Sequence, residues 1–130
     1  MIKSEVALIL FAKEPIKGQV KTRLIPYLGK EGAYLLYCRL LKYILTELES
    51  ISHVNFMVYT SKHDENTNSF FGSQKIYFQK GRNLGEKMFN CFKEQFDNHS
   101  KVILLGADCP FISEKMINET ISHLDNFNHV

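Results

Sequence analysis

"EVALILFA", residues 5–12, is the stretch on which the fold turns. Seven consecutive apolar residues follow Glu5, too few for a buried helix and without the alternation that would leave one face in water. What remains is a strand buried on both faces, the kind found in parallel sheets covered by helices on either side. Helices and strands should then alternate along the chain, and they do. From Lys30 to Glu49 the apolar residues Ala33, Leu36, Leu40, Leu41, Ile44, Leu45 and Leu48 recur at helical spacing, with Lys30, Glu31, Arg39, Lys42 and Glu49 mainly opposite. "VNFMVYT", 54–60, is β-branched and aromatic and reads as a second strand. The polar "SKHDENTNS", 61–69, reads as a loop or short helix, and "KIYF", 75–78, as a third strand.

Leu84, Met88, Cys91, Phe92 and Phe96 mark a second helix face, and "KVILLGA", 101–107, repeats the pattern of the first strand. Ser113 is placed to cap a third helix, with Glu114 favourable in its first turn and Met116, Ile117, Thr120, Ile121 and Leu124 behind it. The closing "HV" reads as the opening of another strand. Strands alternating with helices imply right-handed crossovers. The expected class is α/β: a three-layer α/β/α, Rossmann-like domain with a mainly parallel sheet and no internal repeat.

The chain's 130 residues suit a single domain spanning 1–130, large enough to bury roughly two-thirds of its unfolded surface. A composition 45% hydrophobic and 23% charged excludes a disordered chain. The net charge of +2 is unevenly spread. Residues 1–30 hold six cations against two acids, and the remaining hundred hold ten against twelve. Such local charge suits one anionic ligand rather than a nucleic-acid groove, and aromatics interleaved for base stacking are not evident. Cys38, Cys91 and Cys109 are scattered, with no metal-ligand spacing, which points to reduced thiols in a cytoplasmic protein. The five histidines form no ligand pattern. No stretch has the form of a signal peptide or the length of a membrane span.

In a doubly wound sheet, ligands bind outside the carboxyl ends of the strands where the strand order reverses. With the common order 3-2-1-4, the reversal lies between the first and fourth strands. The loops leaving them are "KEPIKGQVKTR" and "GADCP". The first sits in "FAKEPIKGQVKTRL", 11–24, where Lys13, Lys17, Lys21 and Arg23 face only Glu14 in opposition. Pro15 and Gly18 argue against one solvated helix face. A Gly-containing loop after a buried strand, with cations and backbone N–H groups converging, is how phosphates are held. Lys21-Thr22 echoes the end of a Walker A loop, but the remaining spacing is absent. Asp108, at the end of "LLGAD", is either a turn residue or a ligand for Mg²⁺ or Mn²⁺, whose shells mix carboxylates with substrate phosphates. No base is identifiable for Cys109 as a nucleophile. "QKGRNLGEKM", 79–88, reads by itself as a turn and helix start.

Together, "FAKEPIKGQVKTRL", "QKGRNLGEKM" and "LLGADCPFIS" resemble, in this order and spacing, the small bacterial glycosyltransferase-like proteins associated with selenodomains or radical-SAM enzymes. The resemblance implies a GT-A, nucleotide-diphospho-sugar transferase fold over nearly the whole chain. It implies that Lys13, Lys21, Thr22 and Arg23, on the loop that holds Gly18, border nucleotide phosphates. Gly81, Asn83, Leu84 and Gly85 would lie near the nucleoside or bound substrate, and Asp108 would serve as the metal-binding, catalytic acid. The wider fold includes nucleotidyltransferases, among them phospholactate guanylyltransferases with a similar K-x-R-L loop ending. Family members continue into further strands with an Asp-Gly-Gly-Tyr segment on the acceptor side, which this chain does not reach. The expected function is glycosyl transfer from a nucleotide sugar with Mg²⁺ or Mn²⁺, and the alternatives are nucleotidyl transfer or a partial nucleotide-binding module. A small-molecule nucleotide is the expected partner, without nucleic acid or membrane.

Overall fold

The computed structural model describes residues 4–13, 15–61, 71, 75–107 and 112–126. Its first strand, β1 (Ser4–Ala12), is the run that suggested the fold, and every side chain from Val6 to Ala12 is buried. After it come helix α1 (Ile25–Glu49), strands β2 (Asn55–Thr60) and β3 (Lys75–Phe78), helix α2 (Leu84–Phe96), strand β4 (His99–Gly106) and helix α3 (Glu114–Asn126). The four described strands form one parallel sheet in the order β3-β2-β1-β4, as the sequence predicts. β1 is central: Phe11 registers with Tyr59 on one side and with Gly106 on the other.

Side chains alternating along β1 divide the core. Val6, Leu8 and Leu10 pack with Tyr37, Leu41 and Leu48 of α1 and with Ile117 of α3. Ala7, Ile9 and Phe11 pack with Met57 and Tyr59 of β2 and with Cys91 of α2. α1 and α3 thus cover one face and α2 the other, giving three layers. The reversal between β1 and β4 follows, because α2 carries the chain back across the opposite face from the one α1 covers.

Three local features depart from the sequence expectation. α1 starts at Ile25 rather than Lys30, but Gly29 breaks it with φ 73 and ψ 168. A one-turn lead with Pro26 therefore precedes the regular helix, and the periodic stretch that begins at Lys30 is that regular part. The buried face of α1 includes Tyr37, while Leu36 and Leu40 are half-buried. On α2, Leu84 and Phe96 are exposed, and the buried pair is Cys91 and Gln95. Gln95 is tolerated there because its Nε2 donates to the Tyr59 hydroxyl at 2.7 Å, and that hydroxyl in turn donates to Glu94 Oε1 at 3.1 Å.

β4 begins two residues ahead of its apolar run because His99 is accommodated at the foot of the sheet. Its ring nitrogens contact the Asn55 amide and the Gln95 carbonyl, both at 3.0 Å. The cap of α3 matches the sequence: Ser113 Oγ accepts from the Met116 N–H at 3.2 Å. Residues 62–69 of the polar stretch and the closing "HV" lie outside the described residues. Among the described residues, no helix is long and apolar enough to cross a membrane.

A cationic cleft at the carboxyl edge of the sheet

Beyond the ends of β1, β3 and β4 lies a cleft of about 730 Å³. Three segments far apart in sequence build it: the loop after β1 (Lys13, Val20 and Lys21 to Leu24), the segment after β3 (Gln79 and Leu84) and the end of β4 (Gly106 and Ala107). Phe11, Ala12 and Tyr37 complete the lining. The Ala107 N–H donates to the Phe11 carbonyl at 3.2 Å, so the chain leaves β4 directly beside the end of β1. The juxtaposition that topology predicted between the two loops is therefore present up to Ala107. Asp108 and Cys109 lie outside the described residues.

The loop after β1 is not a helix face. Gln19 N–H turns back onto the Ile16 carbonyl at 3.0 Å, and Gly18 takes φ 87, a conformation that glycine adopts without penalty. Val20 inserts into the core at 2% exposure and pins the middle of the loop. Lys21 adopts left-handed φ 50, and the Leu24 N–H closes a turn onto its carbonyl at 2.9 Å, starting the 3₁₀ turn Thr22–Leu24. With Val20 driven inward, Lys21, Thr22 and Arg23 are left on the cleft side.

The four cations of this loop divide by position. Lys17 pairs with Glu31 of α1 away from the cleft, and that carboxylate holds its ammonium above the ordinary value. Lys13, Lys21 and Arg23 line the cleft, and the described lining contains no carboxylate. Positive charge concentrated in a depression with partly apolar walls attracts anions. Gly18 does not line the cleft but packs under Lys30, whose Cδ lies 3.6 Å from where a Cβ would stand.

In the "QKGRNLGEKM" segment only Gln79 and Leu84 reach the cleft. Gln79 Nε2 donates to the Tyr59 carbonyl at 2.9 Å, and its N–H to the Thr60 carbonyl at 3.0 Å, which fixes it at the exit of β3. Leu84 is 64% exposed although it opens α2. Asn83 is the N-cap of α2, its Oδ1 accepting from the Glu86 N–H at 2.9 Å. Gly81, at φ 144, lies so close to the first turn of α2 that a Cβ would come within 2.8 Å of the Lys87 nitrogen. Gly85 lies within that turn, where a Cβ would stand 3.4 Å from Asn83 Oδ1. The positions of Gly81, Asn83 and Gly85 are therefore accounted for by how the loop meets the helix.

Sequence reading missed Gln79, Val20 and Tyr37. A polar residue directly after a short strand was the available signal for Gln79. Tyr37 had none, because its role rests on a contact 24 residues away: its hydroxyl donates to the Lys13 carbonyl at 2.6 Å. Neither described cysteine lines the cleft. Burial pushes the Cys91 thiol up to about 12, so it stays protonated beneath α2. The Tyr59 hydroxyl is likewise raised by burial, with Gln95 pulling the other way. Among the described residues, no three His, Cys, Asp or Glu side chains are grouped to hold a metal. A more open depression of about 550 Å³ on α3 is lined from Glu114 to His123 by that helix alone, so no separate elements converge on it.

A parallel sheet in the order 3-2-1-4 with a cationic cleft at the strand ends defines a doubly wound α/β domain, and its likeness to a solved nucleotide-diphospho-sugar transferase structure makes that domain GT-A-like. The chain belongs to the bacterial family described as "uncharacterized protein conserved in bacteria (DUF2064)", which matches residues 44–130. The crystal structure of a provisionally assigned nucleotide-diphospho-sugar transferase from Desulfovibrio desulfuricans G20 is similar, with TM-score 0.88 and 27% identity. That match covers 94% of this chain and 55% of the Desulfovibrio chain, so the present chain spans little more than half the length of that protein. A cytidylyltransferase from Leptospira borgpetersenii serovar Hardjo-bovis (TM-score 0.58, 16% identity, 95% of this chain and 49% of that one) shares the fold. So does CMP:2-keto-3-deoxy-manno-octonic acid synthetase complexed with CTP (TM-score 0.58, 11% identity, 95% and 48%). No curated protein matches the chain.

Proposed function

We propose that this chain is the nucleotide-binding part of a glycosyltransferase-like enzyme whose donor is a nucleotide sugar. The observation that carries the reading is the cleft itself, where Lys13, Lys21 and Arg23 converge with no described carboxylate among them. A diphosphate brings two or more negative charges, and three cations on one rim answer them. Arg23 can fork onto two phosphate oxygens, Lys13 and Lys21 act as point charges, and Thr22 donates through its hydroxyl. Leu84, exposed at the cleft, offers apolar surface to a nucleoside.

In the reaction, the bond between the sugar carbon and the diphosphate oxygen breaks as the acceptor oxygen bonds to that carbon. The diphosphate departs with the electron pair, and the proton of the acceptor hydroxyl passes to the departing diphosphate or to water. Lys13, Lys21 and Arg23 stabilise the charge that collects on the leaving diphosphate. The described cleft residues supply no carboxylate to a metal. By the family resemblance, Asp108 together with the ligand's own oxygens would hold Mg²⁺ or Mn²⁺. Such an ion would add further stabilisation of the leaving group. A second reading, attack of a phosphate monoester on the α-phosphate of an NTP with release of pyrophosphate, draws support from the fold shared with the cytidylyltransferase and the CTP-bound synthetase.

Thermal stabilisation by a panel of nucleotides, with and without Mn²⁺, tests these readings. Preference for nucleoside diphosphates or nucleotide sugars supports the first, and NTP binding with pyrophosphate release supports the second. No response to any of them leaves only a partial or inactive module. Asp108→Ala is expected to weaken Mn²⁺-dependent nucleotide binding by about tenfold or more, since charge-assisted contacts contribute roughly 1.5–3 kcal/mol. Full metal dependence in that variant rules out the metal assignment.

A further inference from the structure

We infer that Tyr37, on α1, is the positioning residue of the loop after β1: its hydroxyl sets where Lys13 and the following turn sit relative to the cleft. This rests on the reading that the cleft takes phosphate-bearing ligands. Besides the core packing of Val20, three described contacts join α1 to the first half of the loop. The stem of Lys30 lies over Gly18, Glu31 pairs with Lys17, and Tyr37 donates its O–H to the Lys13 carbonyl at 2.6 Å. These contacts differ in kind. The Lys17–Glu31 pair has both side chains more than half exposed, and such pairs restrain little. The Lys30 contact is a flexible methylene stem against a glycine.

Tyr37 is 5% exposed, and its ring is fixed in the core beside Leu41 and Val20. A rigid ring that presents a hydroxyl to a main-chain carbonyl defines a position in a way that an exposed ion pair does not. The bond falls at the first residue after the buried strand, where the path of the whole loop is set. In the middle of the loop, Val20 supplies the second fixed point. Between the two, the only described backbone bond inside the loop is Gln19 N–H to Ile16 O, at 3.0 Å. Without the Tyr37 hydroxyl, the turn carrying that bond keeps only the exposed Lys17–Glu31 pair and the Lys30 stem on its near side.

The test uses Tyr37→Phe, which keeps the buried ring and removes only the oxygen. Amide hydrogen exchange of the free protein is followed at Gln19 and, as reference, from Leu41 to Leu48 of α1. Inorganic pyrophosphate with Mg²⁺ is titrated as the binding probe. Exchange at Gln19 should rise, and pyrophosphate affinity should fall, by about three- to tenfold, the range expected for one hydrogen bond, with the α1 reference unchanged. Glu31→Gln should change either readout by less than about twofold. Unchanged exchange at Gln19, or an equal rise along α1, overturns the assignment; the latter marks a merely structural tyrosine. An effect of Glu31→Gln as large as that of Tyr37→Phe also overturns it. If the unaltered protein fails to bind pyrophosphate, the phosphate reading fails, while exchange at Gln19 still decides the role of Tyr37.

Discussion

Replacing Lys21 and Arg23 together by alanine is expected to weaken binding of a nucleoside diphosphate by about 100-fold, while binding of the bare nucleoside stays within about twofold. Charge-assisted hydrogen bonds to phosphate contribute roughly 1.5–3 kcal/mol each, so two lost contacts correspond to at least two powers of ten. The lower end applies because Arg23 is exposed and solvent screens its charge. Folding should be little affected, since the turn from Thr22 to Leu24 contains no buried residue. Isothermal titration of each variant with a nucleoside and its diphosphate separates the two contributions. Equal losses for both ligands would show that the loop contacts something other than phosphate.

Gly81→Ala is expected to destabilise the protein by about 3 kcal/mol, whereas Gly85→Ala should stay within about 0.5 kcal/mol. At Gly81 two costs combine. The backbone sits at φ 144, where an L side chain is strained, and the new Cβ would lie 2.8 Å from both the Lys87 nitrogen and the Glu86 Cβ. Strain and overpacking each contribute about 1–3 kcal/mol. The loop must then move off the helix, putting at risk the Asn83 cap and the 2.7 Å bond from Asn90 Nδ2 to the Lys80 carbonyl. Gly85 lies inside α2, where alanine is the better helix former and its Cβ meets Asn83 Oδ1 at an ordinary 3.4 Å. Denaturant unfolding of the two variants gives the comparison. If Gly81→Ala proves no more harmful than Gly85→Ala, the structural account of this motif fails.

These two predictions mark how far the sequence could be read. Burial on both faces was visible in the unbroken apolar run of β1, alternation implied a parallel sheet with right-handed crossovers, and the strand order is the common one for such a sheet. Those rules concern backbone and burial, which depend on patterns of neighbouring residues. The cationic loop was legible for the same reason, since Pro15 and Gly18 speak against a helix locally. What stayed hidden depends on specific long-range contacts. Nothing near Lys17 reveals that Glu31 draws it away from the cleft, and nothing near Tyr37 reveals its bond to Lys13. Gly81 and Gly85 look alike in sequence, yet only one lies pressed against a helix backbone. The break of α1 at Gly29 escaped because apolar periodicity begins only after it.

The central claim is that the cleft between the ends of β1, β3 and β4 receives the phosphates of a nucleotide. Following backbone amide resonances during titration with a nucleoside diphosphate and Mg²⁺ tests it most directly. Shifts should concentrate at Lys13, Lys21 to Leu24, Gln79, Leu84, Gly106 and Ala107, the residues that the fold brings together from three separate loops. Shifts confined to the outer face of α3, from Glu114 to His123, or no shifts at millimolar ligand, would contradict it.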